Sequence, residues 1–261
     1  MNRDDIDRHL DSGKYISGIY NYCDRWCERC PQTLRCLNYS LIDRQFGPDA
    51  ETGDLANEIF WQKLAEMLKL TLDMIRETAQ KMGVDLDELL DGPNGEALGP
   101  ASDGAVVHLI VHIAENYADQ VDKWFQRDHY RLTTPPARPH PRLLSPADQK
   151  EKVGVQDAVE VIRWYQHQIH IKLCRALEGV DKEFNDDPTE EFPSDADGSA
   201  KVALIGIDRS ISAWGVLLKL FPEPETDIIQ LVRVLENLRN RVESEFPQAR
   251  DFVRPGFDDG L

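Results

Sequence analysis

The chain has 261 residues, 41% of them hydrophobic, enough to bury a sizeable core in one large domain or two small ones, and one domain is the simpler expectation. Its 30 Lys and Arg against 47 Asp and Glu leave a formal charge of −17, which repels phosphate backbones and anionic lipid. Neither nucleic acid nor a membrane surface is therefore an expected partner, which leaves an unidentified protein or small molecule.

The opening MNRDDIDRHL carries charges where a secretory signal needs an apolar core. The longest apolar candidate, VALIGIDRSISAWGVLLKLF, is interrupted by Asp208 and Arg209, so it does not read as a bilayer span. A cytoplasmic protein is the expectation. In that reducing compartment clustered cysteines serve as ligands more often than as disulfides. No internal repeat is visible.

In chain order, residues 1–49 form a cysteine-bearing arm rich in Tyr and Trp that ends at Gly47-Pro48. Helical spacing of Leu55, Ile59, Leu64, Leu68, Leu72 and Ile75 predicts a helix from Asp54 to Met82, stopped by Gly83. GPNGEALGPASDG reads as a loop, after which Ser102 or Asp103 can cap a second helix running to about residue 127. The prolines of TTPPARPHPR end it. Ser145-Pro146 resembles an N-cap and first helical position, opening a third helix that Gly179 should close, with Gly154 able to bend it.

An acidic loop, DKEFNDDPTEEFPSDADG, leads to a fourth helix over 199–220 and then a fifth, amphipathic one over about 227–245. No stretch alternates with period two over strand length, so the class is all-α: a four-to-five-helix bundle over 50–246, with the arm packed on it and a polar tail at 247–261. The third and fourth predicted helices are apolar on most of their circumference and should lie centrally, with the first and fifth outside them.

The segment YNYCDRWCERCPQTLRC carries the strongest chemical signal. Four of the five cysteines, Cys23, Cys27, Cys30 and Cys36, fall within fourteen residues at C-x3-C-x2-C-x5-C. Four thiolates complete either tetrahedral zinc or an iron-sulfur cluster. If residues 19–29 were helical, the first three would share one face with about 10 Å of rise between Cys23 and Cys30, a span better suited to a 4Fe-4S cluster than to a single zinc ion. Pro31 would turn the chain back toward Cys36. The C-x2-C-x5-C portion resembles spacings seen in auxiliary iron-sulfur clusters of larger enzymes. A closed four-cysteine centre leaves no open position for substrate, which fits electron-transfer or structural work. The neighbouring Tyr15, Tyr20, Tyr22, Trp26 and Tyr39 read first as packing residues.

On the second predicted helix His108, His112, Glu115 and Asp119 form one stripe, opposite the apolar stripe of Val106, Ile110, Ile113, Tyr117 and Val121, so it reads as a solvent face. On the third, Glu160, His167 and Cys174 recur at sevens, with His170 and Arg163 nearby; on the fourth, Asp208 stands in an apolar setting. Polar groups on buried helices need partners. A structural network, such as Asp208 with Arg163, Arg209 or a histidine, is one reading. A pocket using Glu160, His167, His170 and Asp208 as catalytic candidates is the other. No helix carries the Glu-x-x-His pair of carboxylate-bridged di-iron proteins, and phosphate-loop, nucleophile-elbow and HExxH motifs are absent. Arg127, Arg131, Arg138 and Arg142 make the one basic stretch, expected to pair with the acidic loop near Asp186 to Glu191.

Two functions follow from this pattern. One is a cytoplasmic metalloprotein whose 4Fe-4S centre serves electron transfer or an oxidoreductase pocket in the bundle. The other is a non-catalytic interaction or regulatory protein fastened by zinc.

Overall fold

A computed structural model describes residues 13–46, 58–83, 108–133, 146–183, 195–220 and 225–258. These form six α-helices and no strands: α1 (Leu37–Phe46), α2 (Glu58–Met82), α3 (Leu109–Thr133), α4 (Pro146–Glu183), α5 (Asp195–Leu220) and α6 (Glu225–Glu245). The all-helical class therefore holds among the described residues. The short α1 was not foreseen.

The chain clusters into two compact units. The first comprises Met1–Tyr20 and Cys27–Val106, and the second comprises Asn21–Trp26 and Val107–Leu261.

In the first unit, 3-10 turns at Cys27–Arg29 and Thr33–Arg35 lead into α1. The Ile16 amide donates to the Arg35 carbonyl at 3.0 Å, and Tyr15 and Ser40 share a hydroxyl hydrogen bond of 3.0 Å. α2 ends where expected, because Gly83 takes the left-handed φ of 72° that terminates helices and its amide reaches back to the Gln80 carbonyl. The apolar face read from periodicity is a different matter. Leu64 is half-buried, while Ile59, Leu68, Leu72 and Ile75 are exposed. Spacing reports that a helix has an apolar face; it does not set how deeply that face is buried. α2, expected in the outer layer of the bundle, belongs instead to the first unit. The start of that prediction, residues 54–57, lies outside the described residues, as do the loop 92–104 and its capping candidates Ser102 and Asp103.

The second unit packs four helices in a ring: α4 against α5 most extensively, α3 against α4, α5 against α6, and α6 against α3. Its core contains Ile162, Tyr165 and Leu173 of α4 and Leu204, Ile207 and Trp214 of α5, all at or near zero exposure. Trp214 donates its indole N–H to the buried Tyr117 hydroxyl at 2.9 Å and meets the Trp124 ring edge-on at 5.0 Å. The polar atoms of Trp214 and Tyr117 are thereby used within an apolar layer, whereas Trp124 Nε1 is buried without a hydrogen-bond partner.

The helix boundaries correct two expectations. α3 continues to Thr133 rather than stopping near 127, since the chain carries no helix breaker before Pro135. α4 runs through Gly154 and past Gly179 to Glu183. Gly179 is a packing residue and not a stop: a Cβ there would come within 2.9 Å of the Ala196 backbone nitrogen on α5. Gly206 plays the same part from α5, where a Cβ would lie 2.9 Å from the Tyr165 ring. Small residues at both crossings let the two central helices approach closely. α5 begins at Asp195, four residues before the predicted start, with Asp195 and Asp197 in the first turn, where carboxylates complement the helix dipole.

After α6 the chain turns back onto the bundle. Ala249 and Phe252 are buried, and Lys201 of α5 pairs with Asp258 at 3.0 Å.

The cysteine motif and its socket on the bundle

The backbone around the cysteines is not the helix assumed for residues 19–29. Within that range only Cys27–Arg29 is helical, as one 3-10 turn, and Arg25 sits at a φ of 57°. The local cause is visible in Asp24, whose carboxylate accepts the Trp26 amide at 3.2 Å and so competes for a donor that a helix would need. Cys23, Cys27 and Cys30 therefore do not form a single helical face. The argument that preferred a cluster on the basis of helical rise falls with it.

What replaces the helix is a pair of compact turns. The Cys30 amide closes the first by donating to the Cys27 carbonyl at 3.2 Å, and Cys36 closes the second on Thr33 at 3.2 Å. Two sulfurs accept backbone amides: Gln32 N–H reaches Cys30 Sγ at 3.4 Å, and Tyr39 N–H reaches Cys36 Sγ at 3.5 Å. All four motif thiols are half-buried. Among the described residues no three His, Cys, Asp or Glu side chains are gathered closely enough to enclose a metal ion.

Residues 21–26, which belong to the bundle's unit, form a strap held along one stripe of α4. Trp164, Tyr165, Gln168, Lys172 and Arg175 recur at three- and four-residue intervals, and each reaches it. Asp24 is the centre of this socket. Its carbonyl accepts Trp164 Nε1 at 2.9 Å and the Gln168 amide, while its carboxylate accepts the Tyr165 hydroxyl at 2.5 Å and Arg209 Nη1 at 2.7 Å. Arg209 also donates to the Tyr165 oxygen. Burial, with the Asp24 carboxylate beside it, pushes the Tyr165 hydroxyl far up, so it stays a donor.

Three residues earlier, the Asn21 carbonyl accepts Lys172 Nζ at 3.1 Å and Arg175 Nη1 at 3.3 Å. Lys172 is only 6% exposed, and burial lowers its amine to about 8 despite the opposing charge of Cys23. Trp26 stacks on Trp164 at 4.9 Å, which confirms its packing role. Tyr22 donates to Asp195, itself paired with Arg175 at 2.6 Å, and packs against Phe252 at 4.7 Å.

The four catalytic candidates on the bundle lie apart. Glu160 is exposed. His167 is exposed and faces Asp122 of α3 at 3.9 Å. The His170 ring approaches the Val111 carbonyl at 3.4 Å and the Cys174 sulfur at 3.6 Å, and burial, with Glu178 next in importance, raises the Cys174 thiol. Asp208 turns to the opposite side, where Arg239 and Arg250 pair with it at 3.4 and 2.7 Å. The network reading thus applies to Asp208 with partners other than Arg163, Arg209 or a histidine.

On α3, His112, Glu115 and Asp119 are exposed opposite the buried Ile110, Tyr117 and Val121, as a solvent face requires. His108 pairs with Glu245 at 3.3 Å. Arg127 pairs with Asp227 of α6 at 2.6 Å; the acidic loop near 186–191 lies outside the described residues. A shallow cleft of about 390 Å3 between α3 and α4 is lined by Asp122, Phe125, Gln126 and Arg163.

Sequence reasoning missed Asp24 and Tyr165, and it offered Arg209 to Asp208 rather than to Asp24. The available signal was a Tyr and an Arg on apolar helices, each needing a polar partner.

Fold and site together define an all-helical protein with a cysteine-rich motif whose first member is seated on a four-helix bundle. The chain matches no protein-family model, no curated protein and no solved structure. No described helix is long and apolar enough to cross a membrane.

Proposed function

We propose that this chain is a metalloprotein in which Cys23, Cys27, Cys30 and Cys36 hold one centre, a 4Fe-4S cluster used in electron transfer. The observation that carries the reading is the pair of amide-to-sulfur hydrogen bonds at Cys30 and Cys36, set within the C-x2-C-x5-C spacing. Such bonds stabilise thiolate charge and tune cluster potential, and they contribute little to a neutral thiol. The buried ammonium of Lys172, which interacts electrostatically with Cys23, adds compensating positive charge. Bound there, the cluster supplies reversible one-electron transfer. The protein's own residues hold the sulfurs, limit water at half-buried thiols and fix the strap.

A reducing, cytoplasmic setting belongs to the same reading, because it keeps thiols available as ligands. So does a protein or small-molecule redox partner; the net charge of −17 favours a basic one. Glu160, His167, His170 and Asp208 are left without a chemical role: Glu160 and His167 are exposed on α4, and Asp208 pairs elsewhere with Arg239 and Arg250.

One observation favours a second reading. The Cys27–Arg29 turn is a compact knuckle of the kind that closes on a single ion, which suits a structural zinc in a non-catalytic interaction protein. Anaerobic purification, followed by iron, sulfide and zinc analysis and a visible spectrum, separates the two. A brown protein with iron and sulfide in equal amounts supports the cluster. A colourless protein with one zinc per chain supports the second reading, and a chain holding neither metal refutes both.

A further inference from the structure

α2 has two apolar faces. Phe60, Met67, Leu70 and Met74 are half-buried and make the inner one, within the first unit. Trp61, Leu68, Leu72 and Ile75 make the second, and they are 55, 55, 53 and 48% exposed. At about 100° of turn per residue these four fall within roughly 60° of the helix circumference, so they form one stripe and not scattered surface residues. A contiguous apolar face beyond the one a helix buries in its own unit marks a binding surface. α2 has 25 residues, more than three heptads, which is long enough for a helix to pair along such a seam.

Charge and residue order point to what covers the stripe. α2 contains four acidic and four basic residues, a balance of zero in a chain of −17. Two copies meeting there avoid the repulsion that the acidic excess elsewhere would impose. The stripe is also self-complementary when a second α2 runs antiparallel about Leu68. Leu68 then faces Leu68, Leu64 faces Leu72, and Trp61 faces Ile75 at both ends. Glu58 and Arg76 are exposed and lie on the same flank of the stripe. In an antiparallel pair each flank meets its own counterpart, so Glu58 of one copy comes beside Arg76 of the other, twice by symmetry. A parallel pair would turn that flank toward Phe60, Thr71 and Thr78 of the other copy, which carry no charge.

We propose that the outer stripe of α2 is a homodimer interface, in which α2 of a second copy packs antiparallel about Leu68 and the Glu58–Arg76 pairs close both ends. The inference uses none of the cysteines and stands apart from the metal reading.

Sedimentation velocity of the full chain, run under reducing conditions to exclude cysteine cross-links, tests it over about 1 to 100 μM, where a contact of one helix pair is partly formed. Wild type should pass from monomer to dimer across that range. Leu68→Glu sets two carboxylates against each other at the symmetry axis. It should keep wild-type helical circular dichroism, because Leu68 is exposed, and weaken dimerisation roughly tenfold or more. Glu58→Arg and Arg76→Glu each bring like charges together and should each weaken it roughly tenfold, whereas the double variant should recover most of the loss. The proposal is overturned if wild type is monomeric throughout, if Leu68→Glu dimerises as wild type does, or if the double variant is no tighter than the single ones. A monomeric wild type whose Leu68→Glu variant melts at lower urea would assign the stripe to another segment of the same chain, against the proposal.

Discussion

Gly198 of α5 lies directly beneath Tyr22: a Cβ at this position would enter the Tyr22 ring and come within 2.7 Å of Phe252 Cζ. The strap, the first turn of α5 and the segment after α6 therefore meet at a point that only glycine can occupy. In an exposed helix interior, glycine to alanine gains about 1 kcal/mol from propensity. Here the overlap opposes that gain. Gly198→Ala should lower stability by about 1–3 kcal/mol in urea melts, the usual cost of overpacking, and raise tryptic cleavage after Arg25. A more stable variant would show that Tyr22 is not seated there.

Asp258 should set part of the acid sensitivity. The Arg254 guanidinium, with the Lys201 ammonium also in reach, holds its carboxyl far below the ordinary 3.8. A depressed carboxylate favours the fold wherever it is ionised and the unfolded chain's carboxyl is too, and that contribution is lost as pH falls below about 4, where only the unfolded state takes up the proton. Asp258→Asn should cost about 2 kcal/mol near pH 7 and flatten the decline below pH 4, as measured by denaturant melts across pH. An unchanged acid limb would count against the pair.

Metal content should follow the motif and ignore the fifth cysteine. Serine at Cys23, Cys27, Cys30 or Cys36 should each sharply reduce iron or zinc per chain, whereas Cys174→Ser should retain wild-type content. Cys174 sits beside His170 on α4, and burial raises its thiol, which disfavours the thiolate form that binds metal. Loss of metal in Cys174→Ser would redraw the ligand set.

Asp208 and His167 should prove to be surface-network residues. Asp208→Asn breaks the partly exposed pairs with Arg239 and Arg250 and should cost roughly 1 kcal/mol at low salt and less at high salt. His167→Ala, at an exposed position, should change stability by less than about 0.5 kcal/mol. Neither should alter metal content; a joint loss of metal would show that the two sites communicate.

Element type was legible from local pattern because 3.6-residue spacing and glycine or proline stops are short-range physics, and α2, α5 and α6 end within a few residues of expectation. Gly179 shows the limit of that reading. In sequence a glycine near a helix end looks like a stop; in the fold it is the contact point at which α4 approaches Ala196. α2 shows the same limit from the other side, since Leu68, Leu72 and Ile75 form an apolar face that the described structure leaves exposed.

By itself the sequence determined a helical chain and four cysteines within fourteen residues, because both are written in intervals of a few residues. Only the tertiary structure decided that residues 21–26 are strapped to the bundle, that Asp24 meets Tyr165 and Arg209, and that Asp208 pairs with Arg239 and Arg250 away from His167 and His170. The reason is separation along the chain. Asp24 lies 141 residues from Tyr165 and 185 from Arg209, so no local pattern could show that a carboxylate beside the first cysteine supplies the partner two buried-helix side chains require.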